Sequence, residues 1–133
     1  MNSASPLLVV EDNDDDVFAL RWAMKKAGLT NQVRVVTDGQ QALDYLSGAG
    51  KYADRDEHPI PALVFLDLKL PFLNGHDVLR WLRSQAQIGS LPVVILTGSD
   101  ETRDHERSRE SGATAYLVKP PEPEDLRRLV ESL

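Results

Sequence analysis

The sequence predicts an α/β fold in which helices cover both faces of a parallel sheet. Short apolar runs of strand length recur along the chain, mostly without polar alternation, as suits strands buried on both sides. Amphipathic stretches with three- and four-residue spacing fall between them, and each parallel crossover needs such a helix to return the chain to the same edge. At 133 residues and 41% hydrophobic composition, the chain can bury one sizeable core, so a single domain over 1–133 is expected.

The first strand is LLVV, Leu7 to Val10. A helix follows, marked by Val17, Leu20, Met24 and Ala27 and stopped by Gly28; Asp14, Asp15 and Asp16 fill its first turn, where the macrodipole favours negative charge. VRVV, Val33 to Val36, is the second strand, and Thr37-Asp38-Gly39 reads as the turn and cap before a shorter helix marked by Ala42, Leu43 and Leu46. Ser47 to Pro61 reads as an inserted surface loop, long for such a connection, whose Tyr52, Arg55 and His58 are expected to be solvent-exposed filler sooner than a partner contact. ALVFL, Ala62 to Leu66, is the third strand; Val78, Leu79 and Leu82 mark the third helix; VVIL, Val93 to Leu96, is the fourth strand. The stretch from Glu101 to Ser111 has no large apolar residue, so a fourth helix there would be the least firmly packed. AYLV, Ala115 to Val118, and a helix through Leu126, Leu129 and Val130 complete the pattern, with Pro121 and Pro123 stiffening the approach to that helix.

Composition removes several function classes. The chain has no cysteine, hence no disulfide framework or thiolate metal site. Its start has no basic segment and too short an apolar run for a signal peptide, and no stretch reaches the length of a membrane span, which points to a cytoplasmic protein. Fifteen basic against twenty-one acidic residues give a formal charge of -6, and the basic residues do not cluster, so neither nucleic acid nor membrane is expected as a partner.

Open α/β sheets carry their sites at the carboxyl ends of the strands. There the first strand ends in Glu11-Asp12, the third in Asp67, the fourth in Thr97 and the fifth in Lys119-Pro120. Taken singly, each has an ordinary reading as a cap, a turn residue or solvated surface. Together they are complementary. Carboxylates about 4 Å apart repel by roughly 4 kcal/mol at an effective dielectric near 20, so the cluster needs a cation. Magnesium suits one or two carboxylates plus phosphate oxygens, whereas calcium wants more ligands and zinc would want histidine or cysteine. A cation beside a carboxylate, a hydroxyl and a lysine is the equipment of phosphoryl transfer, with Asp67 as the nucleophile.

In that order, VVEDN, LDLKLPFLNG, VVILTGSD and AYLVKP resemble the receiver domain of two-component response regulators, over essentially the whole chain. The long loop before the third strand looks most like the stand-alone regulators that partner bacterial phytochromes. The resemblance implies a flavodoxin-like (βα)5 three-layer sandwich with strand order 2-1-3-4-5. It implies that Asp67 accepts a phosphoryl group from a sensor histidine kinase, and that Glu11, Asp12, Asp67 and the backbone carbonyl of Lys69 hold magnesium. Lys119 and Thr97 would meet the phosphoryl oxygens, and Tyr116, by itself a half-buried strand aromatic, would be the switch that follows Thr97. Pro71 and Gly75 would shape the loop after Asp67, and Lys119-Pro120 would be a cis bond. With a single receiver domain over 1–133 and no output domain expected, an unidentified downstream protein would read the switched state.

Departures from the family pattern define further expectations. Lys69 stands two residues after Asp67 and Ser99 two after Thr97, positions that tune access of water to the acyl phosphate; the Lys69 side chain is expected to screen that water. The fourth helix lacks an apolar pairing face, so a monomer or weak dimer is expected. The competing reading is a magnesium-dependent aspartyl-phosphate phosphohydrolase of small substrates. Such enzymes carry an Asp two residues after the nucleophile, where this chain has Lys69.

Overall fold

The computed structural model describes residues 4–98 and 102–133. Ser99 and Glu101 lie outside the described residues. The strands are β1 (Leu7–Val10), β2 (Val33–Val36), β3 (Leu63–Leu66), β4 (Val93–Thr97) and β5 (Ala115–Val118). The helices between and after them are α1 (Asp14–Lys26), α2 (Gly39–Ser47), α3 (Gly75–Arg83), α4 (Thr102–Glu110) and α5 (Pro123–Glu131). All strand pairs are parallel and the order is β2-β1-β3-β4-β5. The direction of winding reverses at β1, which leaves a crevice beyond the carboxyl ends of β1 and β3.

Alternate residues of each central strand feed opposite layers. Leu8, Val10, Val64, Leu66, Val93 and Ile95 pack with Ala42 and Leu46 of α2 and with Val78, Leu79 and Leu82 of α3. Leu7, Val9, Leu63, Phe65, Val94 and Leu96 pack with Leu20, Ala23 and Met24 of α1 and with Leu126 of α5. Burial of each such side chain contributes about 1.5–3 kcal/mol, so these two layers fix the order and register of the strands. The edge strand β5 is only half-buried along its length. Among the described residues, no helix is long and apolar enough to cross a membrane.

Sequence-encoded caps set the helix starts. The side chains of Asn13, Asp38 and Asn74 accept hydrogen bonds from the backbone N–H of Asp16, Gln41 and Asp77, opening α1, α2 and α3. Gly28 follows α1 with φ of 82°, and Pro123 opens α5 as its first residue. Helix α4 seats a hydroxyl where the others seat leucines, its Ser108 being 1% exposed.

The loop between α2 and β3 corrects one expectation. Tyr52, Arg55 and His58 are internal fittings of the loop, not filler or a contact surface. The Arg55 guanidinium donates to the carbonyls of Tyr45 (2.7 Å), Leu46 (2.8 Å) and His58 (3.1 Å). The Tyr52 ring packs on Tyr45, with His58 edge-on to both. The insertion therefore satisfies the last carbonyls of α2 that have no helical partner. Arg83, the last residue of α3, likewise pins loops, donating to the carbonyls of Gly112 (2.9 Å), Gly89 (3.0 Å) and Leu91 (2.6 Å) ahead of β5 and β4.

His76, in the first turn of α3, is 4% exposed. Burial holds its imidazole below the usual 6.5; Arg107 lowers it further, Asp104 opposes this, and Arg80 and Asp77 add smaller effects of opposite sign. Folding thus favours the neutral ring. The stability it contributes is full above pH 6.5 and is lost as pH falls through the lower, folded-state value. Urea unfolding at about pH 7.5 and 5.5 is expected to show a smaller acid-side loss in His76→Gln than in the parent. Equal losses in the two proteins would contradict the assignment.

Candidate phosphoacceptor and metal site

The sheet ladder itself positions the residues at its carboxyl edge. The backbone N–H of Glu11 donates to Val36 O (3.0 Å), that of Asp67 to Val10 O (3.2 Å), and that of Lys119 to Thr97 O (2.8 Å). Each of these three groups is therefore held one residue past its strand, beside an open cleft of about 510 Å³. Glu11, Asp12, Asp67, Lys69, Thr97 and Lys119 all line this cleft. The Lys119-Pro120 bond is cis.

The loop after Asp67 is fixed in place by close backbone packing. A Cβ on Gly75 would lie 2.4 Å from the Asp67 carbonyl oxygen, and one on Gly39 would lie 2.4 Å from the Leu73 carbonyl oxygen. The starts of α2 and α3 thus grip the same loop from two sides, which requires glycine at both places. Between them, Leu73 N donates to Pro71 O (2.8 Å) around Phe72, whose φ is 69°. This is a γ-turn in the strained positive-φ form, and it leaves the Phe72 ring 97% exposed.

Glu11, Asp12 and Asp67 each offer a carboxylate oxygen within 4.8 Å of the others. An all-oxygen set of this kind suits a hard divalent cation and offers nothing to favour zinc. Burial raises the Glu11 carboxyl to about 7, with the Lys119 hydrogen bond pulling it down and the Asp67 charge pushing it up. The Lys119 ammonium donates to Glu11 Oε1, to Asp16 Oδ2 (2.8 Å) and to Asp67 Oδ2 (3.2 Å). Burial alone would lower its pKa, but the bonds to Asp16 and Glu11 and the charges of Asp67 and Glu11 prevail and raise it. The ammonium is thus a fixed positive charge throughout the physiological range.

Thr97 is fully buried, and its Oγ1 has no hydrogen-bond partner among the described residues. An unsatisfied buried hydroxyl costs about 1–3 kcal/mol, so Thr97 stands at the cleft with a donor unspent. Tyr116 does not line this cleft. It lies on β5, and its ring stacks on His105 of α4 with centroids 3.7 Å apart and planes inclined by 29°. One site residue escaped the sequence reading: Asp16, assigned there to the helix dipole alone, reaches across to Lys119. No local pattern signals this contact, because its partner lies 103 residues away in the chain.

The family model described as the response regulator receiver domain matches residues 7–131. The chain belongs to the response regulator receiver family. A structure of the bacteriophytochrome response regulator RtBRR is 44% identical, with a TM-score of 0.86 over 98% of this chain and 78% of that one. Rcp1 of Synechocystis sp. is 30% identical over 132 residues, which are 99% of this chain and 88% of Rcp1. A structure of the phosphorylated cyanobacterial phytochrome response regulator RcpA is 29% identical, with a TM-score of 0.81 over 97% of this chain and 90% of that one. This receiver is therefore a two-component signalling protein, and its neighbours include regulators of phytochrome pathways.

Gly75→Ala tests how the receiver holds its site. The added methyl would meet backbone atoms of Asp67 and Leu68 that have little room to yield. A loss of about 1–3 kcal/mol in urea unfolding is expected. Gly98→Ala, at a cleft position with nothing within 4 Å of the added atom, should stay within about 0.5 kcal/mol. Equal stabilities of the two variants would contradict the close-approach argument.

Proposed function

We propose that Asp67 is the phosphoacceptor of this receiver, and that its state of phosphorylation is read through Thr97 and Tyr116. The observation that carries the reading is the placing of one buried carboxylate among two further carboxylates, a fixed ammonium and a buried, unspent hydroxyl. An Asp67 oxygen attacks the phosphorus of a phosphohistidine; the N–P bond breaks as the O–P bond forms, leaving an acyl phosphate on Asp67. Lys119 pairs with one phosphoryl oxygen, and the Thr97 hydroxyl donates to another. Glu11, Asp12, Asp67 and the Lys69 carbonyl would hold magnesium, which neutralises charge on the phosphoryl oxygens when bound. The Mn(2+)-bound form reported for Rcp1 supports a divalent ion at such a site.

As Thr97 turns its hydroxyl toward the phosphoryl group, the space above it opens, and the Tyr116 ring leaves His105 to fill it. That motion alters the α4–β5 surface, which a downstream protein reads. Water also reaches the acyl phosphate, and loss of phosphate resets the receiver without an external enzyme. Lys69, exposed and lining the cleft, screens that water.

The donor is a cytoplasmic sensor histidine kinase of the phytochrome class. The likeness to bacteriophytochrome response regulators supports the class of kinase, and an apolar strip offers it a docking surface: Phe18 and Trp22 of α1 are 73% and 52% exposed and share a groove with Pro120, Pro121 and Pro123. Pro120 also lines the Asp67 cleft. A kinase helix laid along the strip brings its phosphohistidine to Asp67.

Intact mass after incubation with acetyl phosphate and magnesium is expected to show one phosphoryl adduct, absent in Asp67→Asn. An adduct that survives this substitution would overturn the assignment. Lys69→Asn should lose its phosphate several-fold faster than the parent; an unchanged lifetime would remove Lys69 from the account. With a phosphorylated bacteriophytochrome kinase as donor, Trp22→Ala should slow transfer about tenfold or more while acetyl phosphate still labels it at the parental rate. Parental transfer from that kinase would place docking elsewhere.

A further inference from the structure

The three N–H bonds of the Lys119 ammonium are all committed, one each to Glu11, Asp16 and Asp67. Two of these partners are claimed twice. Glu11 and Asp67 also belong to the carboxylate group that suits a divalent cation, and Asp67 is the atom donor for the phosphoryl bond. Asp16 has no such second claim, since the close group consists of Glu11, Asp12 and Asp67. We infer that Asp16 is a positioning residue for phosphoryl transfer: it retains the Lys119 ammonium in the cleft when Glu11 and Asp67 are taken up by the cation and the phosphoryl group. This rests on the reading of Asp67 as phosphoacceptor.

The need for such an anchor follows from charge. A divalent cation and an ammonium sharing one cleft repel each other, and the long, flexible lysine stem gives the ammonium an easy route to solvent. A carboxylate that the cation does not bind opposes both effects. Asp16 is built for this task and its neighbours are not. Its backbone is fixed by the Asn13 cap, at 3.1 Å, and its side chain is 37% exposed, whereas Asp14 and Asp15, in the same helical turn, are exposed. The bond that Lys119 donates to Asp16 spans 103 residues, tying the end of β5 to α1.

The test compares Asp16→Asn with Asp15→Asn, which removes the same formal charge from the same turn. At saturating magnesium, the rate of labelling by acetyl phosphate should fall about five- to tenfold in Asp16→Asn and stay within about twofold of the parent in Asp15→Asn. In a Lys119→Gln background, Asp16→Asn should add no further loss, because the two act as one unit. Without phosphodonor, the Lys119 ammonium resonance in 1H–15N spectra should persist at saturating magnesium in the parent and in Asp15→Asn, and vanish by exchange in Asp16→Asn. Equal effects of the two single variants, additive losses with Lys119→Gln, or a surviving resonance in Asp16→Asn would each overturn the inference. If the parent itself takes no phosphate, the phosphoacceptor reading fails, while the resonance still decides whether Asp16 holds Lys119.

Discussion

Negative charge crowded beyond the ends of β1 and β3 is the constraint on which the remaining features depend. Glu11 and Asp67 are 5% and 7% exposed, and Asp12 stands against them. Carboxylates this close oppose one another by several kcal/mol at any reasonable interior dielectric. The opposition is met in two ways: Lys119 lies among the acids, and the Glu11 carboxyl is raised to about 7, chiefly by burial. The two apolar layers stabilise this arrangement because each acid follows a strand whose register they determine. The site thus gathers opposed charges at the ends of two fully buried strands, β1 and β3.

A rigid scaffold also explains how a local charge change could be felt at the surface. The Asp67 loop is gripped by the starts of α2 and α3 at Gly39 and Gly75, leaving little freedom there. On the other side of the cleft, β4 ends at a buried hydroxyl with no partner among the described residues, and β5 is a half-buried edge strand. Helix α4, beyond it, seats no large apolar side chain. Adaptable packing therefore lies on the β4–β5 side, next to the Tyr116–His105 stack, and firm packing on the opposite side.

Much of this was legible in the sequence because it rests on strong local patterns. The continuous apolar runs of β1, β3 and β4, and the turn and cap at Thr37-Asp38-Gly39, signal their elements. The cleft residues were readable because a strand that ends in a carboxylate, a threonine or a lysine breaks its own apolar pattern. What stayed hidden depends on tertiary distance. Asp16 looks like any acid in a helical first turn until β5 brings Lys119 beside it. Tyr52, Arg55 and His58 look like surface loop because nothing local shows that the arginine will reach back to the end of α2. The unspent hydroxyl of Thr97 is likewise a property of its surroundings, with no trace in its neighbours in the chain.

Thermal unfolding across a magnesium series at neutral pH measures the central claim most directly, since an ion that binds only the folded site raises stability with the logarithm of its concentration. A rising midpoint in the parent, abolished in a variant carrying both Glu11→Gln and Asp12→Asn, is the predicted result. A midpoint that ignores magnesium, or that climbs equally in parent and variant, would contradict a shared cation site at this edge of the sheet.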